Sequence, residues 1–243
     1  MFQEEITMPN WKRQKRNGDE NKSCNEENMN ILLHEKEFSD VVNDNINSDL
    51  IICQANQSLL QENRDIRRNI IYADPPWKYT IERSDNCQQS PIKGTANSHY
   101  PTLSLHQLKQ LKIQEITADD CILLMWTTGP QLENALELMQ SWGFHYNTLF
   151  MTWVKTSNGG QIGRGARLGF YTRQTVEMVL MGTRGHVHKY KKPREEMLYN
   201  ILLEDPEEHS RKPSRVKKVI DRMFLDVPRI ELFARIVNKN DRN

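Results

Sequence analysis

The chain has 243 residues, with 33 Lys and Arg against 32 Asp and Glu and a net charge of +1. That length holds one domain with a full core, and the charge balance excludes a globally basic nucleic-acid scaffold while leaving local basic clusters open. Four scattered cysteines without a C-x-x-C pair argue against a disulfide framework and a structural zinc site. No stretch reaches the roughly 18 apolar residues of a membrane span, so the expectation is a soluble intracellular protein, cytoplasmic in a prokaryote or phage and nuclear in a eukaryote.

Residues 1–47 read as a polar, disordered tail. They crowd asparagines and mixed charges (WKRQKRNGDENKS) and hold few apolar residues, too few to offset the entropy of ordering. A more apolar texture begins at about residue 48 and runs to 243 as one domain. Leu50–Cys53, Asn69–Ala73, Cys121–Trp126, Leu149–Val154, Val176–Met181, Ile201–Leu203 and Ile230–Phe233 are continuous apolar runs. Continuity, in place of alternation, predicts strands buried on both faces of a mostly parallel sheet. Gln131–Trp142 and Arg215–Phe224 carry apolar residues at helical spacing, and Ser104–Gln107 is a capping-box pattern that opens a short helix. The expected fold is α/β with helices on both faces. Three long polar segments, 78–103, 156–170 and 183–199, interrupt the scheme and are expected to be binding loops.

The unusual stretch is ADPPWKY, residues 73–79. In open α/β sheets ligands sit at the carboxyl ends of strands, where Asp74 is expected. Pro75 and Pro76 have no backbone N–H, so this stretch can only accept hydrogen bonds. An acceptor-only rim beside an indole suits a planar ligand that donates: the exocyclic amine of a nucleobase, its two hydrogens held by Asp74 and a proline carbonyl, its ring stacked on Trp77 or Tyr79. Such a hold would aim the amine lone pair at an electrophilic methyl group, which is catalysis by positioning. D-P-P alone is equally the chemistry of a plain turn after a strand. His186 and His188 lie two apart in a basic segment and fall short of a metal ligand set. The cluster HKYKKPR (188–194) gathers cations around a stackable Tyr190, as a single-strand or flipped-base binder would require. GRGARLG lacks the G-K-[ST] of a phosphate loop; its Arg164 and Arg167 are read as phosphate contacts.

D-P-P-W after an apolar strand resembles the amino-methyltransferases of the mRNA adenosine methyltransferase type. HYPTLS (99–104), ILLMWTT (122–128), WGF (142–144), TWVK (152–155), HSRKP (209–213) and RIELFAR (229–235) follow in that family's order. The resemblance implies a permuted Rossmann-like fold and S-adenosylmethionine-dependent methylation of the 6-amino group of adenine in nucleic acid. Lacking zinc fingers and long accessory regions, the chain resembles the bacterial or phage branch, which favours DNA over RNA. It implies Asp74, Pro75, Pro76 and Trp77 as the catalytic set. Asp74, Lys212, Phe233, Arg235 and Asn238 are implied for the cofactor, with Asn56 standing where the family often has an aspartate. Trp77, Tyr79, Tyr100, Arg164, Arg167, Ser210 and Lys212 are implied for the substrate. The sequence ends at Asn243 without the family's G-W-x-x-x-G-N-[EQ] segment, which leads to the expectation of weak cofactor binding and of a partner subunit. It also leaves a rival reading, a catalytically silent nucleic-acid-binding subunit.

Overall fold

The computed structural model describes residues 47–63, 65–79, 102–157, 160–162, 167–168, 171–193, 198–207 and 211–233. The tail expected over 1–47 therefore lies outside the described residues except for Asn47. In chain order the elements are α1 (Asn47–Glu62), β1 (Arg68–Ala73), α2 (Leu105–Lys109), α3 (Ile113–Ile116), β2 (Thr117–Thr127), α4 (Leu132–Ser141) and β3 (His145–Ser157). There follow β4 (Gln161–Ile162), β5 (Arg167–Leu168), β6 (Arg173–Gln174), β7 (Val176–Arg184), β8 (Ile201–Glu204), α5 (Ser214–Met223) and β9 (Arg229–Leu232).

The sheet order is β4-β3-β7-β2-β1-β9, with β8 also paired to β3. Strands β2, β1 and β9 run parallel, and β8 is parallel to β3, but β7 is antiparallel to both β2 and β3. The sheet is thus Rossmann-like but mixed, and this corrects the expectation of a mostly parallel sheet. Continuous apolar runs report burial on two faces; they carry no information on strand direction. Side chains alternate between two cores. Ile71, Ala73, Cys121, Leu123 and Met125 face one core with Ala135, Leu138 and Trp142 of α4 and its flank. Ile70, Tyr72, Ile122, Leu124 and Trp126 face the other with Val216 and Ile220 of α5.

Leu50–Cys53 is helical, not a strand. Ile52, Ala55 and Leu59 are all buried, and their spacing of three and four places them on one helical face. The capping box at Ser104 forms both of its hydrogen bonds: Gln107 N–H donates to Ser104 Oγ (3.3 Å) and Ser104 N–H donates to Gln107 Oε1 (2.8 Å). Segments expected as loops are partly ordered: β3 extends to Ser157, β7 to Arg184, and Val187–Tyr190 forms a 3-10 turn. Tyr190 is not available for stacking. It is 8% exposed, its hydroxyl donates to the Asp120 carbonyl (3.2 Å) and accepts from Asn69 Nδ2 (2.8 Å). These partners stand near the amino ends of β1 and β2, roughly 15–20 Å along the strand from Asp74.

Candidate functional site

Strand β1 ends at the fully buried Ala73, and Asp74 continues the sheet edge by donating its N–H to Leu232 O (3.3 Å) at the end of β9. The two prolines then direct the chain outward. Pro75 O accepts the Trp77 N–H (2.8 Å), and Pro76 O accepts the Leu103 N–H (2.8 Å); Lys78 N–H in turn donates to Leu103 O (3.1 Å). Lys78 and Leu103 are therefore tied to each other, and Leu103 to the proline turn. Each proline carbonyl has two lone pairs and uses one in these bonds.

Trp77 belongs to this neck and not to an open stacking face. Its indole is 5% exposed, packs in the core and donates to Trp126 O (3.2 Å). Tyr79 is half-buried, and its hydroxyl shares a hydrogen bond with Thr128 Oγ1 (3.0 Å) just past the end of β2.

Lys212 is the side chain that organises the edge. The following Pro213, the N-cap of α5, disfavours helical backbone at Lys212. Its ammonium lies 2.9 Å from Asp74 Oδ2 and 3.2 Å from Glu177 Oε2, and 5.5 Å above the Trp126 ring. Glu177 Oε1 lies 2.5 Å from Lys155 Nζ, itself 4.9 Å above the Trp153 ring. The result is a row of alternating charge, Asp74–Lys212–Glu177–Lys155. It follows from topology: β1 and β3 reach this edge with their carboxyl ends, while the antiparallel β7 reaches it with its amino end, pairing Glu177 with Trp153.

Burial raises the Asp74 carboxyl above its usual range, and Glu177 and Glu231 add to this, although Lys212 opposes it. Burial also works to raise Glu177, but Lys212 and Lys155 together outweigh it and hold that carboxyl below the usual range. Lys212 loses solvation on burial, and the two carboxylates more than compensate, so its ammonium is held charged well beyond the ordinary lysine range. An ammonium has three donors; among the described residues two carboxylates engage Lys212, short of its full donor set.

Phe233 sits directly after β9 with φ 63°, a left-handed conformation that is rare for an aromatic residue and costs on the order of 1–3 kcal/mol. It packs partly against the core that holds Ala73, Trp77 and Leu232. Thus Asp74, Pro75, Pro76, Tyr79, Lys212 and Phe233 come to one edge of the sheet. Asn56 takes no part among the described contacts. It lies on α1, where its side chain donates to Gln110 O (3.0 Å) and accepts from Lys112 N–H (2.8 Å), so both ends of the amide are committed to the turn between α2 and α3. Tyr100, Arg164, Ser210, Arg235 and Asn238 lie outside the described residues, as does the side chain of Arg167. Sequence reasoning missed Glu177 and Lys155. The usable signal was a lone acid between Val176 and Met178 in an otherwise apolar strand, since a charge in such a run needs a partner.

A family model described as MT-A70 matches residues 68–241. The chain is 40% identical over 176 residues to the type II methyltransferase M.MunI of Mycoplasma sp, covering 68% of this chain and 71% of that protein. It is 26% identical over 166 residues to the human N(6)-adenosine-methyltransferase catalytic subunit METTL3, covering 68% of this chain and 25% of that protein. With an N(6)-adenosine-methyltransferase MT-A70-like protein of Arabidopsis thaliana it shares 25% identity over 169 residues, covering 70% of this chain and 22% of the relative. The chain therefore spans only about a quarter of the length of these eukaryotic relatives.

Proposed function

Because the chain belongs to the MT-A70 family, we propose that it transfers the methyl group of S-adenosylmethionine to the 6-amino group of adenine in nucleic acid, with DNA the favoured substrate. The observation that carries this reading is the Asp74–Lys212 pair, at 2.9 Å, beside an acceptor-only proline turn. DNA is favoured because the type II methyltransferase is matched at higher identity and over most of its own length.

The residues fit the cofactor's charges. Its cationic sulfonium would suit the partly exposed Asp74 carboxylate (30% side-chain exposure), and its carboxylate would suit the Lys212 N–H that neither Asp74 nor Glu177 engages. Phe233, Arg235 and Asn238 are the further residues proposed to hold it. When bound, the cofactor supplies an electrophilic methyl group, its sulfur taking the C–S electron pair as the new N–C bond forms.

The protein's own residues prepare the amine. The adenine amine is a weak nucleophile because its lone pair is delocalised into the ring. Asp74 accepts one hydrogen, and the free lone pair of the Pro75 carbonyl accepts the other, which turns the nitrogen lone pair out of the ring plane. Lys212 fixes the rotamer of Asp74, and the turn bond from Trp77 to Pro75 fixes the second acceptor. After transfer N6 carries a surplus proton, and Asp74, with its raised proton affinity, takes it. Tyr79 is the aromatic left to line the base. Tyr100, Ser210, Arg164 and Arg167 are proposed to contact the nucleotide and its phosphates.

The test is transfer of labelled methyl from S-adenosylmethionine to matched single- and double-stranded DNA and RNA oligonucleotides, each with an adenine-free control. Label appearing as N6-methyladenine in DNA is the expected result. Equal label in adenine-free strands would overturn the reading, and transfer confined to RNA would overturn the substrate preference.

A further inference from the structure

Strand β8 is an apolar edge that the described fold leaves open. Its inner side pairs with β3, and among the described residues no strand pairs with its outer side. Natural edge strands are usually shielded by charge, proline or a bulge; β8 carries such devices only at its carboxyl end, Glu204 followed by Asp205 and Pro206, and Ile201-Leu202-Leu203 has none. Leu202 is buried toward α5, whereas Ile201 and Leu203 are 59% and 55% exposed on the opposite face. Tyr199 just ahead is 80% exposed, and Ile162, in register with Thr156 on the same face of β3, is 61% exposed.

The backbone fixes how this edge could be extended. Asn200 turns its carbonyl inward to Thr152 N–H (2.7 Å). By alternation along the strand, Ile201 and Leu203 direct their N–H and C=O groups to the open side. An antiparallel partner with the same sequence, centred on Leu202, would then place Ile201 opposite Leu203 twice, as the two hydrogen-bonded pairs. It would also set the Asn200 amide opposite Glu204, whose buried Oε2 has no hydrogen-bond partner among the described residues and lies 3.7 Å from Arg215 Nη1. Both the apolar pairs and the amide–carboxylate pairs are self-complementary, as a twofold interface requires.

We propose that the outer edge of β8 binds a second copy of this chain, in antiparallel register about a twofold axis at Leu202, to form one sheet across two protomers. Ile162, Tyr199, Ile201 and Leu203 of each copy would add apolar cover to the paired strands, toward the roughly 1,000 Å² that a specific interface needs. The two catalytic edges then face opposite ways, because the paired strands run in opposite directions.

The experiment measures the mass of the full chain by light scattering and sedimentation at about 50 µM, beside Leu203→Lys and Ile201→Thr. The expected result is a wild-type mass of twice 28.6 kDa. Leu203→Lys should raise the dissociation constant at least about tenfold by opposing a charge to an apolar edge, with thermal unfolding unchanged. Ile201→Thr keeps the test open should the lysine variant fail to fold, because it removes the same pair with little change of shape. A monomeric wild type, including one whose edge is covered by its own residues 1–46, overturns the proposal. So does a dimer that both variants leave intact.

Discussion

Glu177 Oε2 lies 3.2 Å from the Lys212 ammonium, the same ammonium that reaches Asp74. A residue that no ligand need touch thereby sets the position and charge of one that is proposed to hold the substrate amine. The pair separates a role in chemistry from a role in orientation, and the two can be measured apart.

Asp74→Ala should cut turnover at least about a hundredfold, the usual range for a positioned polar group in an active site being about 10²–10³. Cofactor binding, followed by calorimetry with S-adenosylhomocysteine, should change far less. A variant with near-normal turnover would falsify the assignment.

Glu177→Gln should lower kcat about 10–100-fold with a smaller change in KM, since it loosens Lys212 without removing a proposed ligand contact. It should also move the acid limb of the kcat/KM profile. Burial raises Asp74, so wild-type activity is lost above the ordinary aspartate range as pH falls. Deleting the Glu177 charge removes an influence that raises Asp74, so the limb should shift to lower pH. An unshifted limb means Asp74 is not the titrating group. Stability follows the opposite sign for Glu177 itself: its folded pKa is depressed, so its contribution is present above about pH 4.5 and is lost as pH falls through the folded value. Thermal melts of the Gln variant should lack that acid loss.

Much of this arrangement was legible in the residues. The strand run before Asp74, the capping box at Ser104 and the Lys212-Pro213 entry to α5 each follow from local chemistry. Three features were not. The direction of β7 depends on which neighbours it meets, and an apolar run is the same read either way. The helical state of Ile52 depends on Ala55 and Leu59 sharing its face, which a four-residue window cannot show. Trp77 beside a proline turn looks like a stacking surface until the Trp126 carbonyl, 49 residues later, claims its indole N–H.

Trp77→Phe is the check on that last point. It should lose one buried hydrogen bond, worth about 1 kcal/mol, and keep methyl transfer within about tenfold of wild type. A hundredfold loss of activity in a well-folded Phe variant would mean that the indole meets the substrate after all.

Asn56→Ala should destabilise the chain by no more than about 1 kcal/mol, because the two bonds it removes, to the Gln110 carbonyl and from the Lys112 N–H, are exposed and water can replace them. Affinity for S-adenosylhomocysteine should be unchanged. A tenfold weaker affinity at unchanged melting temperature would restore Asn56 to the cofactor site.

The reversed direction of β7 has an evolutionary consequence. Glu177 is the second residue of its strand, and its register is locked on both sides, by Trp153 in β3 and by the pairing of Met178 with Thr127 in β2. The stretch joining β3 to β7 enters immediately before it. Changes of length in that stretch that keep the Lys155 N–H to Thr175 O bond (2.8 Å) should leave Glu177, and with it the charge row, where it is. The fold thus holds the charge row by strand register, on two neighbouring strands at once, and not by the length of the connection that precedes it.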